Sequence, residues 1–180
     1  MTRRKLTVAA LLGSAFVGII AMAGLAEHYG IIEDDDDDEG PALTKSIGNA
    51  KVDLQQGLTA SEQVGQPISG KFEVEDGKFQ LSIYTIKDGN LSEVLVDHVT
   101  GKVSKTEPIR DDDDLAAAKA QVAAMANAKA SLKDAVDKAT GETAGYRAVG
   151  VVPGLKDGHP VASVVLVKGE EIKTINESLE

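Results

Sequence analysis

Two runs of carboxylates are the residues best equipped for chemistry in this sequence: Glu33–Glu39 reads EDDDDDE and Asp111–Asp114 reads DDDD. Hard cations collect several carboxylate oxygens. Asp34, Asp35, Asp36, Asp37 and Asp38, together with Asp111, Asp112, Asp113 and Asp114, are therefore candidate ligands for calcium or a lanthanide. Asp35-x-Asp37-x-Glu39-Gly40 opens like an EF-hand loop, but Pro41 stands at the seventh place and Ser46, not Glu, at the twelfth. Without the closing bidentate carboxylate such a site is loose. Each run also has a plainer reading. The first contains no apolar residue to bury and reads as a solvated linker. The second stands just before Leu115, where anions cap a helix and complement its dipole. Glu73 and Glu75 fall on one face of a strand, where they extend a carboxylate cluster or simply dress the strand surface.

Other chemistry is poorly provided for. Gly65-Gln66-Pro67-Ile68-Ser69-Gly70-Lys71-Phe72 spells the G-x-x-x-x-G-K of a phosphate-binding loop, but a helix precedes it, a strand follows, and Phe72 replaces the magnesium-binding hydroxyl. It reads as a Gly/Pro turn. His28, His98 and His159 lie too far apart for a zincin, and no His-Glu-x-x-His occurs. His98 reads as an exposed turn residue. No Ser sits in a Gly-x-Ser-x-Gly elbow, and the absence of cysteine removes thiolate catalysis, disulfides and Cys-type zinc sites. A chain so equipped is expected to bind rather than to catalyse.

The elements that position these residues are written twice. Ala50-Lys51-Val52-Asp53-Leu54 and the residues after it match Ala128-Lys129-Ala130-Ser131-Leu132 and its successors, and further on Asp76-Gly77 lines up with Asp157-Gly158. Ile47, Ala50, Leu54 and Leu58 recur at helical steps, as do Val122, Met125, Ala126, Leu132, Ala135, Val136 and Ala139. Alternating runs follow each helix. They are Ile68, Phe72, Val74; Phe79, Leu81, Ile83; and Val94, Val96 in the first half, then Val149, Val151; Val161, Val164, Leu166; and Ile172, Ile175 in the second. Asp76-Gly77 and Asp88-Gly89-Asn90 are the expected hairpin turns. The fold class is thus α+β, with two repeated units, each a helix packed on a three-stranded antiparallel sheet. Lys105–Arg110, with its Glu107-Pro108, is the expected connection between them. The expected core is aliphatic, because only Phe72, Phe79, Tyr29, Tyr84 and Tyr146 supply aromatic rings beyond residue 26.

Arg3, Arg4 and Lys5, the apolar run Leu6–Ile20 and the small residues of Ala21-Met22-Ala23 or Gly24-Leu25-Ala26 form an export signal, cleaved after residue 23 or 26. Ordinary Sec export is a simpler reading than the twin-arginine route. Losing those three cations makes the formal net charge of −10 more negative still. Such a chain has no counterion-release term for nucleic acid, and its only membrane contact would be an uncleaved signal. Expected boundaries are 1–26 signal, 27–42 acidic linker, 43–104 first unit, 105–114 linker and helix cap, and 115–180 second unit.

Leu91-Ser92-Glu93-Val94-Leu95-Val96 followed by Asp97-His98-Val99-Thr100-Gly101-Lys102-Val103 resembles the ending of a PepSY domain, which closes on Val-Asp-x-x-Thr-Gly-x-Val. Asp97 and Thr100 can bond local amides while Gly101 supplies positive φ, which makes the motif a structural turn. The second unit has Glu177-Ser178-Leu179 in that place and is degenerate. The resemblance implies a small, non-catalytic, extracytoplasmic domain. PepSY units accompany thermolysin-like peptidases as inhibitors or chaperones, and periplasmic tandem PepSY proteins called lanpepsy bind lanthanides. The expectation is a periplasmic or secreted protein whose partner is a protein or peptide met at a sheet edge or between units. The alternative is a calcium- or lanthanide-binding protein.

Overall fold

A computed structural model describes residues 39–180, Asp76 excepted. The export signal and Asp34–Asp38 therefore lie outside the described residues. The described chain is α+β, with four helices on one seven-stranded antiparallel sheet. Its elements are α1 (Glu39–Ser46), α2 (Leu54–Ser61), β1 (Gln66–Glu75), β2 (Lys78–Lys87), β3 (Asn90–Val96), β4 (Val103–Pro108), α3 (Asp112–Met125), α4 (Leu132–Glu142), β5 (Arg147–Lys156), β6 (His159–Lys168) and β7 (Glu171–Ser178). The strand order is β4-β3-β2-β1-β5-β6-β7, so the two halves meet where β1 pairs with β5.

Three expectations need correction. The stripe from Ile47 to Leu58 is not one helix. α1 gives way to a 3-10 turn at Ile47–Asn49, and Asp53 then starts α2 with a capping box in which its carboxylate accepts from the Gln56 amide and Gln56 answers on the Asp53 amide. The stripe from Val122 to Ala139 likewise belongs to two helices, divided where Ser131 and Asp134 form a second capping box. Lys105–Arg110 is not a bare connection, because Lys105 to Pro108 belong to the strand Val103–Pro108. That strand is β4, pairing Glu107 with Glu93 and Lys105 with Leu95.

The helices divide between the two faces of the sheet. Leu54 and Leu58 of α2 and Leu132, Val136 and Ala139 of α4 bury against Phe72, Leu81, Ile83, Val94, Val151, Val164 and Leu166. The strand residues next to these point the other way. There α3 lays Ala118 and Val122 on Ile68 and Tyr84, and Gln121 accepts from the buried Ser69 hydroxyl at 2.8 Å. α3 runs over β1, β5 and β6, which is why β6 is buried along nearly its whole length. Asp88 (φ 51°) with Gly89, and Asp157 (φ 52°) with Gly158, turn the hairpins with positive φ at both central residues. Gly65 is needed for a different reason: a Cβ there would lie 2.8 Å from the Ile86 carbonyl oxygen.

Candidate functional site

The face under α3 carries a half-buried polar network that the alternation of β1, β2 and β3 makes unavoidable. Leu81 and Ile83 turn toward α2, so Gln80, Ser82 and Tyr84 turn away, beside Lys71 and Glu73 of β1 and Glu93 of β3. Lys71 pairs with Glu73 at 2.6 Å, and the Gln80 amide donates to Glu73 at 3.1 Å and to Glu75 at 2.5 Å. Ser82 donates to Glu93 at 2.6 Å, and Tyr84 hydrogen bonds to Asp114. Burial, the Asp114 and Glu93 charges and the bond to Asp114 push the Tyr84 phenol far above its usual range. It is a fixed hydrogen-bonding group, not a base. Glu93 is raised first by burial and then by the carboxylates of Glu73, Glu75 and Asp114, against the opposing Ser82 hydroxyl.

The second acidic run is divided among unlike tasks. Asp111 is the N-cap of α3, its carboxylate accepting from the amides of Asp113 and Asp114. α3 thus begins at Asp112 rather than Leu115, and Asp112 and Asp113 are exposed in its first turn. Asp114 is buried against the sheet. Among the described residues no three His, Asp or Glu side chains converge as a metal site. Asp111–Asp114 are thus spread over a helix cap, two exposed side chains and one buried one.

The Asp97 turn closes the first half. One Asp97 oxygen accepts from the Val99 amide (3.0 Å), the Thr100 amide (2.6 Å) and the Thr100 hydroxyl (2.9 Å), while Gly101 at φ 72° brings its amide to the Asp97 carbonyl. Those bonds hold the Asp97 carboxyl below its usual range. His98 is not the exposed residue its sequence context implies. Its ring is half-buried edge-on to Phe79 at 4.9 Å, Nδ1 has no hydrogen-bond partner, and its carbonyl accepts from the Lys51 and Val52 amides. Phe79 stacks on Phe72, and Arg147 lies over Phe72 with its guanidinium donating to the carbonyls of Ile47, Ala50 and Val52. Sequence reading missed Arg147, whose partners lie about a hundred residues away. It also missed Ser82, Tyr84 and Glu93 as a group, although their placement opposite an apolar alternation was the available signal.

Between the α2–β1 turn and the α3–α4 connection an open cleft of about 430 Å³ is lined by Leu58, Pro67, Met125 and Leu132 together with Glu62, Lys129 and Lys133. Gly65 and Gln66 lie in its wall, whereas Lys71, which completes the G-x-x-x-x-G-K string, sits on β1 in its ion pair with Glu73. His159 lies elsewhere, its Nδ1 3.0 Å from Glu180.

No protein-family model matches the chain, and no curated protein matches it significantly. Among solved structures, a protein of Clostridium difficile 630 described as a presumed lipoprotein is similar over 73% of this chain and 88% of its own, at 17% identity and a TM-score of 0.40. Among the described residues no helix is long and apolar enough to cross a membrane.

Proposed function

We propose that this chain is an exported, non-enzymatic protein of two PepSY-like units, and that it binds polypeptide in the cleft between them. The repeat is supported by the centre of the sheet. A shift of about 80 residues carries Gly70 to Gly150 and Lys71 to Val151, and it exchanges the two central pairs, Gly70↔Val151 and Lys71↔Gly150, as a local two-fold axis would. It is supported again at the helix starts. The Lys51 and Val52 amides bond the His98 carbonyl, and the Lys129 and Ala130 amides bond the Leu179 carbonyl.

The cleft carries the functional reading. It opens where the two units meet and is lined by both apolar and charged side chains, which is the chemistry that takes a few side chains of a peptide and its polar backbone. Fluorescence polarisation with a panel of labelled unstructured peptides tests it. Binding is expected, and Met125→Asp should weaken it by at least about tenfold, as removal of an apolar anchor does, while Lys156→Ala on a distant hairpin leaves it unchanged. Failure of every peptide, with heat released on adding calcium or a lanthanide, would move the reading to cation binding by Asp34–Asp38.

A further inference from the structure

The two edges of the sheet are unlike. β4 slips register between Leu95 and Val96, ends on Pro108 and carries the exposed Lys105–Glu107 pair. A bulge, a proline and exposed charges are the devices that keep an edge from pairing. β7 has neither a bulge nor a proline, although Glu171 and Lys173 stand exposed on it. It pairs with β6 residue for residue from Lys168↔Glu171 to Val161↔Ser178 without a register shift, and no described strand lies beyond it. Ile172 on this strand is one of two large hydrophobic side chains exposed among the described residues, at 42%.

The order of side chains along β7 specifies what could pair there. Lys173, Ile175 and Glu177 share one face, and Ile172, Thr174, Asn176 and Ser178 the other. About Ile175 the strand is self-complementary. An antiparallel copy centred there sets Ile175 against Ile175, Lys173 against Glu177 twice, Thr174 against Asn176 twice, and Ile172 against Ser178. Centring on Thr174 instead sets Glu171 against Glu177 twice, and like charges directly opposite are destabilising. Glu177 already meets Lys138 at 2.6 Å and is only 3% exposed, so Lys173 of a second copy would join an ion pair that exists within each chain. We propose that β7 pairs with β7 of a second copy of this chain, across a two-fold axis at Ile175, to make one sheet of double width.

Sedimentation of the exported protein should show a concentration-dependent dimer. Lys173→Glu turns both Lys173–Glu177 pairs repulsive and should raise the dimer dissociation constant roughly 30-fold, with circular dichroism unchanged. Because the chain has no cysteine, a single Ile175→Cys gives an unambiguous second readout. Opposed Cα atoms in an antiparallel pair lie about 4.5–5.5 Å apart, within disulfide range. Mild oxidation should therefore link Ile175→Cys chains and leave Ser104→Cys chains on the β4 edge single. A wild-type protein that stays monomeric up to ~1 mM, or a dimer that ignores Lys173→Glu and cross-links through Ser104→Cys, would overturn the proposal. Peptide binding at the cleft is independent of either result.

Discussion

The two halves of the sheet fasten their helices at the same place with opposite chemistry. In the first half the His98 carbonyl holds the amides before α2, and the chain leaves through the exposed Asp97 turn. In the second half the Leu179 carbonyl holds the amides before α4, and the Leu179 side chain is fully buried. A polar turn defines its own geometry locally and needs little of the core. A buried leucine anchors the chain only through the core it fills. The same backbone bond is thus secured by short-range hydrogen bonding in one half and by packing in the other.

The second closure depends most on Leu179. Leu179→Ala removes a fully buried side chain and should cost about 3 kcal/mol of unfolding free energy. His98→Ala, at the corresponding position of the first half, removes one edge-to-face contact with Phe79 and should cost about 1 kcal/mol. Urea unfolding of both variants measures the difference. Equal losses would mean that the first closure depends on its side chain as much as the second.

The carboxylates of β3 and β7 differ as well. Glu93 of β3 sits among like charges, whereas Glu177 of β7 has Lys138 beside it. The folded pKa of Glu93 is raised above its ordinary 4.5, so the folded state holds that proton more tightly than the unfolded chain. Its contribution is most favourable below about pH 4.5 and falls as pH rises through the raised value. Glu93→Gln keeps an acceptor for Ser82 and removes the charge, so it should stabilise the protein at pH 7 and flatten this dependence. Glu177→Gln should destabilise, by up to about 1 kcal/mol, because it weakens a half-exposed ion pair. Thermal midpoints of the two variants at pH 4 and pH 7 test the opposite signs.

What the sequence made legible follows from which signals are local. Asp88-Gly89 and Asp157-Gly158, the alternating strands and the helix starts at Asp53 and Ser131 are short-range signals, and the structure places turns, strands and capping boxes at them, while Asp76 of the Asp76-Gly77 pair lies outside the described residues. The break before α2 was also written locally, because Asp53 and Gln56 stand three apart as a capping box requires, but the apolar spacing across it concealed the break. β4 was not legible. Ser104-Lys105-Thr106-Glu107 is polar on both faces because both faces are exposed, so no alternation marks it. Nor was the burial of Asp114. Its partner Tyr84 is distant in sequence, and nothing within an aspartate run tells a capping carboxylate from a buried one.

The smallest expected effect concerns a contact that only the second half possesses. His159 Nδ1 lies 3.0 Å from Glu180, with both side chains well exposed. The bond to Glu180 raises His159 above 6.5, and the same bond lowers Glu180 below 4.5. For a histidine raised in the folded state, stability is fully present below about pH 6.5 and is lost as pH rises through the folded value. For a carboxylate lowered in the folded state, it is present above about pH 4.5 and is lost as pH falls through the folded value. Both conditions hold together between roughly pH 5 and 6.5. The difference in melting temperature between wild type and His159→Ala should therefore peak in that window and shrink on either side. Because the pair is exposed, about 0.5 M salt should remove most of the peak. A difference that is flat across pH 4–8 and indifferent to salt would mean that the pair contributes nothing. The second half would then be closed by Leu179 alone.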